Sequence, residues 1–526
     1  MVTANFTIKE DYWETVEIED ADLEIIYNHL LETEVPLTSQ ELLRVFVAER
    51  IRREKQAIEK RRSSGGAIYV PREDYDVGQT LIFPALGWLR GTVVDKRAGN
   101  NPEIPDFNVV KVELENGLTR EFATALEQHR LNDPQELESE DGMLTPDEVM
   151  GAYGSVLQER LETSLESNEE FVRIAGRWFP RALLVDVNIG HLNLAEALLD
   201  MEDGGPLPTS KLMEAVELPT NVNPKLAEFS LDYALWQDDR FDEVGPAGRI
   251  LWHLKHLEPE EVLAPPPFLR YQPIEHDRSL LTGEMLALES ELDDELSPLE
   301  DRPVGDEVEI RLLFPHWRVG SLPLSSKLRP LFPTAYQAPR IRFMLVDGES
   351  GQKFPGWVVR QGRYVFGLRD FYEEKGVLPG SILTIRRGDE PGEVIVKAHT
   401  RRPVREWIRT VLVGADGGIV LAMLKQMVAS HFDDRMAIAV PETETLDEVW
   451  EKTQKERVPF ERTVVDTLRE LAKLNPQGHV HAIELYAAVN LLRRSPPGPI
   501  LALLASRPWF VHVGDLHFRF DDSERD

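Results

Sequence analysis

The sequence predicts a mixed α+β chain of several domains, in which helix-rich repeats alternate with two small β-domains. Its 526 residues exceed the usual length of a single domain. Its 36 prolines and 34 glycines divide it into many short elements. Along the chain, segments with apolar residues at helical spacing alternate with short hydrophobic runs between turn residues.

The first elements are helices. Residues 20–32 place Leu23, Ile26 and Leu30 at helical spacing, and Thr38-Ser39 can cap a long helix over about 39–62. A third helix at 145–166 and two short strands follow only after a region of different character. We therefore predict one domain that is split between residues 1–66 and 143–188.

The intervening residues 72–132 contain short strands separated by turns. The Asn116-Gly117 pair between alternating strands is a strong hairpin signal. These features predict an inserted, SH3-like small barrel, because insertions into surface loops cost little. The insertion requires contacts between residues 20–62 and 145–184, with the barrel looped out between them.

An internal repeat is the most informative feature of the sequence. Phe171, Phe241 and Phe510 each open a hydrophobic strand that is followed by a glycine turn and a second strand. A leucine-spaced helix and, before it, a short helix after a turn precede each hairpin. The same unit is thus predicted in the split domain, at 189–256 and at 456–526.

Three helices followed by a two-stranded wing resemble the winged-helix fold, a relative of the helix-turn-helix. The pattern is similar to the HARE-HTH type, which occurs in the acidic delta subunit of bacterial RNA polymerase. The resemblance implies a role in DNA or transcription-complex binding. Any small α+β unit with a terminal hairpin is the alternative.

Three further segments complete the predicted organisation. Residues 257–304 are rich in Pro, Glu and Asp and predict an acidic linker. Residues 305–402 are rich in strand signals, and 403–455 predict a helical connector, with helix over 403–430 interrupted at Gly414 to Gly418.

The charge is unevenly distributed. The chain has 59 basic and 92 acidic residues and a net charge of −33, which disfavours nonspecific binding to phosphates. Residues 311–402, however, hold 16 Lys and Arg against 8 Asp and Glu, a net charge of +8 that leaves −41 for the rest. This asymmetry predicts a local anion-binding surface.

The order of segments in this basic region resembles the plant B-three type of DNA-binding pseudobarrel, which restriction-enzyme effector domains also use. The resemblance rests on Leu322-Pro323-Leu324, Asp347 to Gly351, Trp357, Tyr364-Val365-Phe366, Phe371 and Leu378-Pro379-Gly380-Ser381. Ser381 departs from the family pattern, which often has Asp there.

The resemblance implies two arms that reach into the major groove, at 318–329 and 360–369. The candidate nucleic-acid-binding residues on these arms are Arg318, Lys327, Arg329, Arg360, Arg363 and Arg369. Their side chains suit phosphate and guanine edges. The alternatives are a protein partner, or arginines that merely solvate a barrel.

No catalytic or cofactor motif is present. Cysteine is absent, which excludes disulfides and thiolate sites. His479 and His481 lack a third ligand nearby in sequence and predict a turn or cap. We therefore expect no enzyme activity, cofactor, metal or small-molecule substrate. A cluster of three or more convergent Asp, Glu or His side chains in one pocket would overturn the prediction of no metal and no hydrolytic activity.

The leading hypothesis is a cytoplasmic, non-catalytic protein that binds duplex DNA or a transcription complex such as RNA polymerase. The alternatives are a protein-interaction adaptor that uses winged helices and an accessory subunit of a nuclease or restriction-type system. The acidic N-terminus is unlike a signal peptide, and the apolar run from Gly418 to Ala429 is too short to span a membrane.

Overall fold

The computed structural model describes residues 10–63, 66–86, 89–101, 106–132, 145–219, 221–303, 305–415, 417–521 and 523. These residues are mixed α+β, as the sequence predicts, and one sheet curls into a half barrel. They fall into two compact units, Met1–Asp186 with Pro219–Ser230, and Val187–Leu218 with Leu231–Asp526. Among the described helices, none is both long and apolar enough to cross a bilayer.

The first unit contains a helical domain with a small sheet. Its helices are α1 (Glu10–Thr15), α2 (Asp20–Thr33), α3 (Ser39–Ser63) and α4 (Pro146–Ser167), and its strands are β1 (Leu37–Thr38), β7 (Phe171–Ile174) and β8 (Arg177–Pro180). The strand order is β1-β8-β7. α3 packs on α4, and Trp178 Nε1 donates to Ser39 Oγ at 3.0 Å. The predicted contacts between residues 20–62 and 145–184 are therefore present.

A five-stranded sheet lies between these helices in the chain. Its strands, paired in sequence order, are β2 (Ala67–Ile68), β3 (Thr80–Phe83), β4 (Leu89–Ala98), β5 (Asn108–Leu114) and β6 (Thr119–Thr124). Gly117 has φ +77° in the β5–β6 turn, where glycine accepts a left-handed conformation without a Cβ penalty. Phe83, Val93 and Val112 are among the residues of its separate core.

The second unit opens with the next repeat. It comprises α5 (Ile189–Met201), β9 (Leu207–Pro208), α6 (Thr209–Ala215), α7 (Pro224–Gln237, in this unit from Leu231), β10 (Phe241–Glu243) and β11 (Leu251–Leu254). Its strand order is β10-β11-β9. Leu199, Leu212 and Trp252 are buried in its core.

The predicted acidic linker is instead ordered and partly buried. It contains α8 (Glu260–Leu263) and α9 (Gly283–Leu292), and its leucines pack into the cores on either side. Asp294 and Glu295 are buried, where the buried Arg494 pairs with both carboxylates and His316 lies 3.1 Å from Glu295. Composition alone does not reveal such partners, which lie far away in the sequence.

A seven-stranded sheet follows. Its elements are β12 (Glu307–Arg311), α10 (Phe314–Val319), β13 (Ser321–Pro323), β14 (Arg340–Asp347), β15 (Lys353–Val359), β16 (Tyr364–Phe366), α11 (Arg369–Lys375), β17 (Ile382–Arg387) and β18 (Glu393–Ala398). The strand order is β12-β17-β18-β14-β15-β16-β13. β14 and β18 are parallel, and the remaining pairs are antiparallel.

The prediction of helix over 403–430 is wrong. The chain there forms a two-stranded antiparallel ribbon, β19 (Thr400–Val413) and β20 (Ile419–Ser430). The only helix between 403 and 455 in the described part of that range is α12 (Thr443–Lys455). The antiparallel pairing of the two strands across a short glycine-rich turn overrides the helical propensity of Leu, Met and Ala here.

The last repeat comprises α13 (Phe460–Ala472), β21 (Val480–His481), α14 (Ala482–Val489), α15 (Pro497–Ser506), β22 (Phe510–Gly514) and β23 (His517–Phe520). Its strand order is β21-β23-β22. All three repeats therefore have the order helix, strand, helix, helix, strand, strand, and in each sheet the last strand lies between the other two.

Candidate functional site

The candidate residue Arg318 is bound within the fold. It lies near the end of α10, where its Nε is 3.1 Å from Asp447 Oδ1 and its Nη2 is 2.5 Å from Asp447 Oδ2. Its guanidinium carbon also stands 5.6 Å from the centroid of the Phe268 ring. This two-point pairing leaves little of the guanidinium fork for a phosphate.

The rest of the first predicted arm faces carboxylates. Asp293 accepts hydrogen bonds from the hydroxyls of Ser325 and Ser326, both at 2.5 Å, and from the backbone N–H of Lys327 at 3.0 Å. Arg329 forms an ion pair with Asp301 at 2.6 Å. An anion of the chain itself therefore occupies the donors that would otherwise meet a phosphate.

The second predicted arm is more exposed. Arg360 donates to the carbonyl of Ala338 and Arg363 to the carbonyl of Glu295, each at 3.0 Å. Arg369 lies 3.7 Å from a carboxylate oxygen of Glu261. The structure thus brings Lys327 and Arg363 to one acidic segment, residues 291–295, since Lys327 Nζ also donates to the Glu291 carbonyl at 3.3 Å.

A buried ionic cluster holds that segment in place. Arg494, fully buried, lies 2.7 Å from both Asp294 and Glu295, and the Tyr486 hydroxyl donates to Asp294 at 2.5 Å. Burial raises the pKa of Asp294. Burial also opposes ionisation of Glu295, but the charges of Arg494 and His316 outweigh it and lower the pKa of that carboxyl. The cluster fixes residues 291–295 against both arms.

The outward face of the ribbon has a different character. Arg405, Trp407, Met423, Lys425 and Met427 lie on one face of β19 and β20, because Trp407 is paired with Lys425 and Arg405 with Met427. The exposed fractions are 62% for Trp407 and 59% for Met427. Lys425 Nζ lies 5.3 Å from the centroid of the indole ring. We call these five residues the ribbon face.

The ribbon is anchored at several points along its length. Ile408 in the middle of β19 and Val428 near the base pack with Ala437. Arg409, next to Ile408, donates to Glu484 at 2.6 Å, and Val411, nearer the tip, joins the core of the last repeat. The ribbon face is therefore held on a fixed support.

Several cations in and beside the ribbon have no acidic partner among the described residues. No carboxylate in that part of the chain lies within ion-pair distance of Lys397 in β18 or of Arg402 and Arg405 in β19. Arg401, by contrast, is paired with Glu406. Residues 311–430 hold 19 Lys and Arg against 10 Asp and Glu, so the ribbon extends the basic region beyond its predicted boundary.

A third group of residues lies in the sheet of the last repeat. One ligand atom each of His481, Asp515 and His517 lies within 4.8 Å of the others. The structure thus brings together three side chains of the kind that a metal requires, and the prediction of no metal stays a prediction. His481 also caps α14, because its Nδ1 accepts the N–H of Ile483 at 3.1 Å, as the cap prediction requires. Burial, with the charges of Arg435 and His517, lowers the pKa of His481 to about 4.

The ribbon face was not predicted because residues 403–430 are rich in apolar residues that favour helix. A signal was nevertheless present, since Asp416-Gly417 between runs of β-branched residues is typical of a hairpin turn. Asp515 and His517 were missed because only the pairing of β21 with β23 brings them to His481.

No family model matches this chain, and neither a curated protein nor a solved structure is significantly similar to it.

Proposed function

We propose that this chain is a non-catalytic, multidomain protein of the cytoplasm that binds duplex DNA, and that the ribbon face is its main contact. The observation that carries the proposal is an exposed row of Arg405, Trp407 and Lys425 on a two-stranded ribbon. A two-stranded ribbon fits the major groove of DNA. The exposed Trp407 ring between these cations can also make apolar contact with the thymine methyl groups in that groove.

The fold supports a nucleic-acid role at the level of architecture. The helix-strand-helix-helix-strand-strand order and the shared sheet order are what winged helices have, so we propose that the three repeats are winged helices. By the resemblances described above, we also propose that 67–124 is an SH3-like barrel and 305–402 a B-three-like pseudobarrel. A transcription complex is the proposed setting.

The charge distribution makes the binding selective. The acidic remainder of the chain repels phosphates, so only the basic region can approach a duplex without a large electrostatic cost. Of the predicted arms, the second has the more exposed guanidinium groups, Arg360, Arg363 and Arg369. We propose that they make secondary contacts, whereas Arg318, Lys327 and Arg329 serve the internal pairings described above.

The test is fluorescence anisotropy of the full chain with a labelled duplex over a series of salt concentrations. We expect a linear decrease of log affinity with log salt, because bound cations release counterions. The double variant Arg405→Glu/Lys425→Glu should abolish binding, and Trp407→Ala should weaken it less, because it removes an apolar contact and keeps both cations. Arg360→Glu/Arg363→Glu should have a smaller effect.

The matched control is Lys111→Glu/Arg120→Glu, two exposed cations on β5 and β6 whose reversal changes the net charge equally. It should bind as the parent does. Failure to bind any duplex at low salt, or full binding by Arg405→Glu/Lys425→Glu, would contradict the proposal.

A protein-interaction adaptor is the second candidate. Trp, Met and Arg are enriched in the centres of protein interfaces, and Met423 and Met427 are exposed beside Trp407. The adaptor function is favoured if the folded chain binds no duplex DNA. Binding to a protein partner should then depend on Trp407 and Met427 and only weakly on salt.

A further inference from the structure

We propose that His481, Asp515 and His517 form a binding site for one divalent transition-metal ion of the Zn²⁺ class. The site lies in the small sheet of the last repeat and is independent of the ribbon face. Two imidazoles and one carboxylate are ligands that Zn²⁺ accepts in sites that keep one position open.

The sheet itself brings the three side chains together. His481 in β21 and His517 in β23 are directly opposite each other across an antiparallel pair, and their rings are 4.8 Å apart between centroids. Asp515 lies in the turn that leads into β23, where Gly514, Asp515 and Leu516 all have positive φ. The compact turn places the carboxylate beside the histidine pair.

His517 is oriented as a metal ligand usually is. Its Nδ1 lies 3.0 Å from the backbone carbonyl of Asp515, and a carbonyl only accepts, so Nδ1 carries the proton. The lone pair of Nε2 is then available, and a hydrogen bond of this kind commonly fixes the ring of a ligating histidine. Asp515 is exposed, which leaves room for water as a further ligand.

His481 must change its tautomer to bind through Nε2. At present its Nδ1 accepts the N–H of Ile483, so Nε2 carries the proton. On coordination Nε2 loses that proton, Nδ1 gains one, and the hydrogen bond from Ile483 is lost. The N-terminus of α14 keeps its second capping contact, because the backbone N–H of His481 donates to Glu484 Oε2 at 3.0 Å.

The other two repeats lack these ligands at the same positions. The pair that corresponds to His481 and His517 is Thr38 with Arg177 in the first repeat and Pro208 with Leu251 in the second. The three-residue set is thus a property of the last sheet and not a requirement of the shared fold.

The experiment is a calorimetric titration of the full chain, first treated with a chelator, with Zn²⁺ alone. We expect a tight class of one ion per chain, and a higher unfolding temperature in the presence of Zn²⁺ because the ion binds the folded state. Co²⁺ in place of Zn²⁺ should give visible absorption bands typical of coordination by nitrogen and oxygen ligands.

His517→Ala and Asp515→Asn test the ligands without removing the cap of α14. Each should weaken Zn²⁺ binding by more than about 100-fold, beyond the range of outer-shell changes, and should abolish the rise in unfolding temperature. His479→Ala, on the same segment but outside the cluster, is the matched control and should bind as the parent does. Absence of a tight class, or unchanged binding by both ligand variants, would overturn the proposal.

Discussion

The three repeats have the same strand order but differ in the side-chain contacts that join the sheet to the second helix. In the first, Trp178 is opposite Leu37 and donates to Ser39. In the second, Trp252 is opposite Leu207 and donates to Thr209 at 3.1 Å and to Asp232 at 2.9 Å. A buried indole with satisfied hydrogen bonds joins strand and helix in both.

In the third repeat, whose residues 460–520 are all described, no side-chain hydrogen bond joins the corresponding two positions. Phe518 is opposite Val480, and Ala482 stands where the other repeats have a hydroxyl. A large shared core and the buried Arg494 cluster hold this repeat instead. One topology is therefore compatible with either a directional or a purely apolar attachment.

The first two repeats also differ in the residue that is paired with the tryptophan on the neighbouring strand. Arg173 is paired with Trp178, and its guanidinium lies 5.2 Å from the ring centroid. Glu243 is paired with Trp252, and burial raises the pKa of Glu243 to about 8. An arginine stabilises the ring electrostatically, whereas an ionised glutamate there is costly.

Replacement of the second repeat's tryptophan should have the largest effect. Trp252→Ala removes a fully buried ring and leaves Asp232 without its indole donor, so we expect a loss of about 3–5 kcal/mol in the free energy of unfolding. Urea unfolding followed by circular dichroism measures it. Trp407→Ala, at an exposed site, should change stability by less than about 0.5 kcal/mol, and equal effects would contradict the assigned burial.

Glu243→Gln should make the second repeat less sensitive to pH. Because folding raises the pKa of Glu243, its contribution to stability is full below the unfolded value of 4.5 and is lost as the pH rises through about 8. At pH 9 the variant should be more stable than the parent by on the order of 3 kcal/mol, and near pH 5 the difference should largely vanish.

Unfolding temperatures of both chains from pH 5 to pH 9 provide the measurement. Glu309→Gln, an exposed glutamate in β12, is the control and should leave the profile unchanged. A constant difference between Glu243→Gln and the parent at all pH values would show that ionisation is not the cause.

The sequence predicted the features that depend on local pattern. Phe171, Phe241 and Phe510 each begin the strand that comes second in chain order in the sheet of their repeat. The Asn116-Gly117 turn joins two paired strands. It failed where distant partners decide the outcome. Residues 257–304 look like a linker until Arg494, some 200 residues away, is brought to Asp294.

Removal of the indole N–H alone separates the hydrogen-bonding role of Trp252 and Trp178 from their packing. Trp252→Phe keeps most of the buried apolar surface but takes one donor from the buried Asp232 carboxylate, which still accepts from the Thr209 hydroxyl. Because hydrogen bonds to a carboxylate are stronger than those to a neutral group, we expect a loss of about 1–3 kcal/mol. Trp178→Phe removes a donor only from the Ser39 hydroxyl, a neutral group, so the loss in the free energy of unfolding should be about 1 kcal/mol or less.

Chemical denaturation of the two variants beside the parent gives both values. Phe518→Leu, at the position in the third repeat that makes no such hydrogen bond, controls for the change in ring packing alone. If Trp178→Phe proves as costly as Trp252→Phe, the charge of Asp232 is not what distinguishes the two repeats, and the difference between them lies in packing.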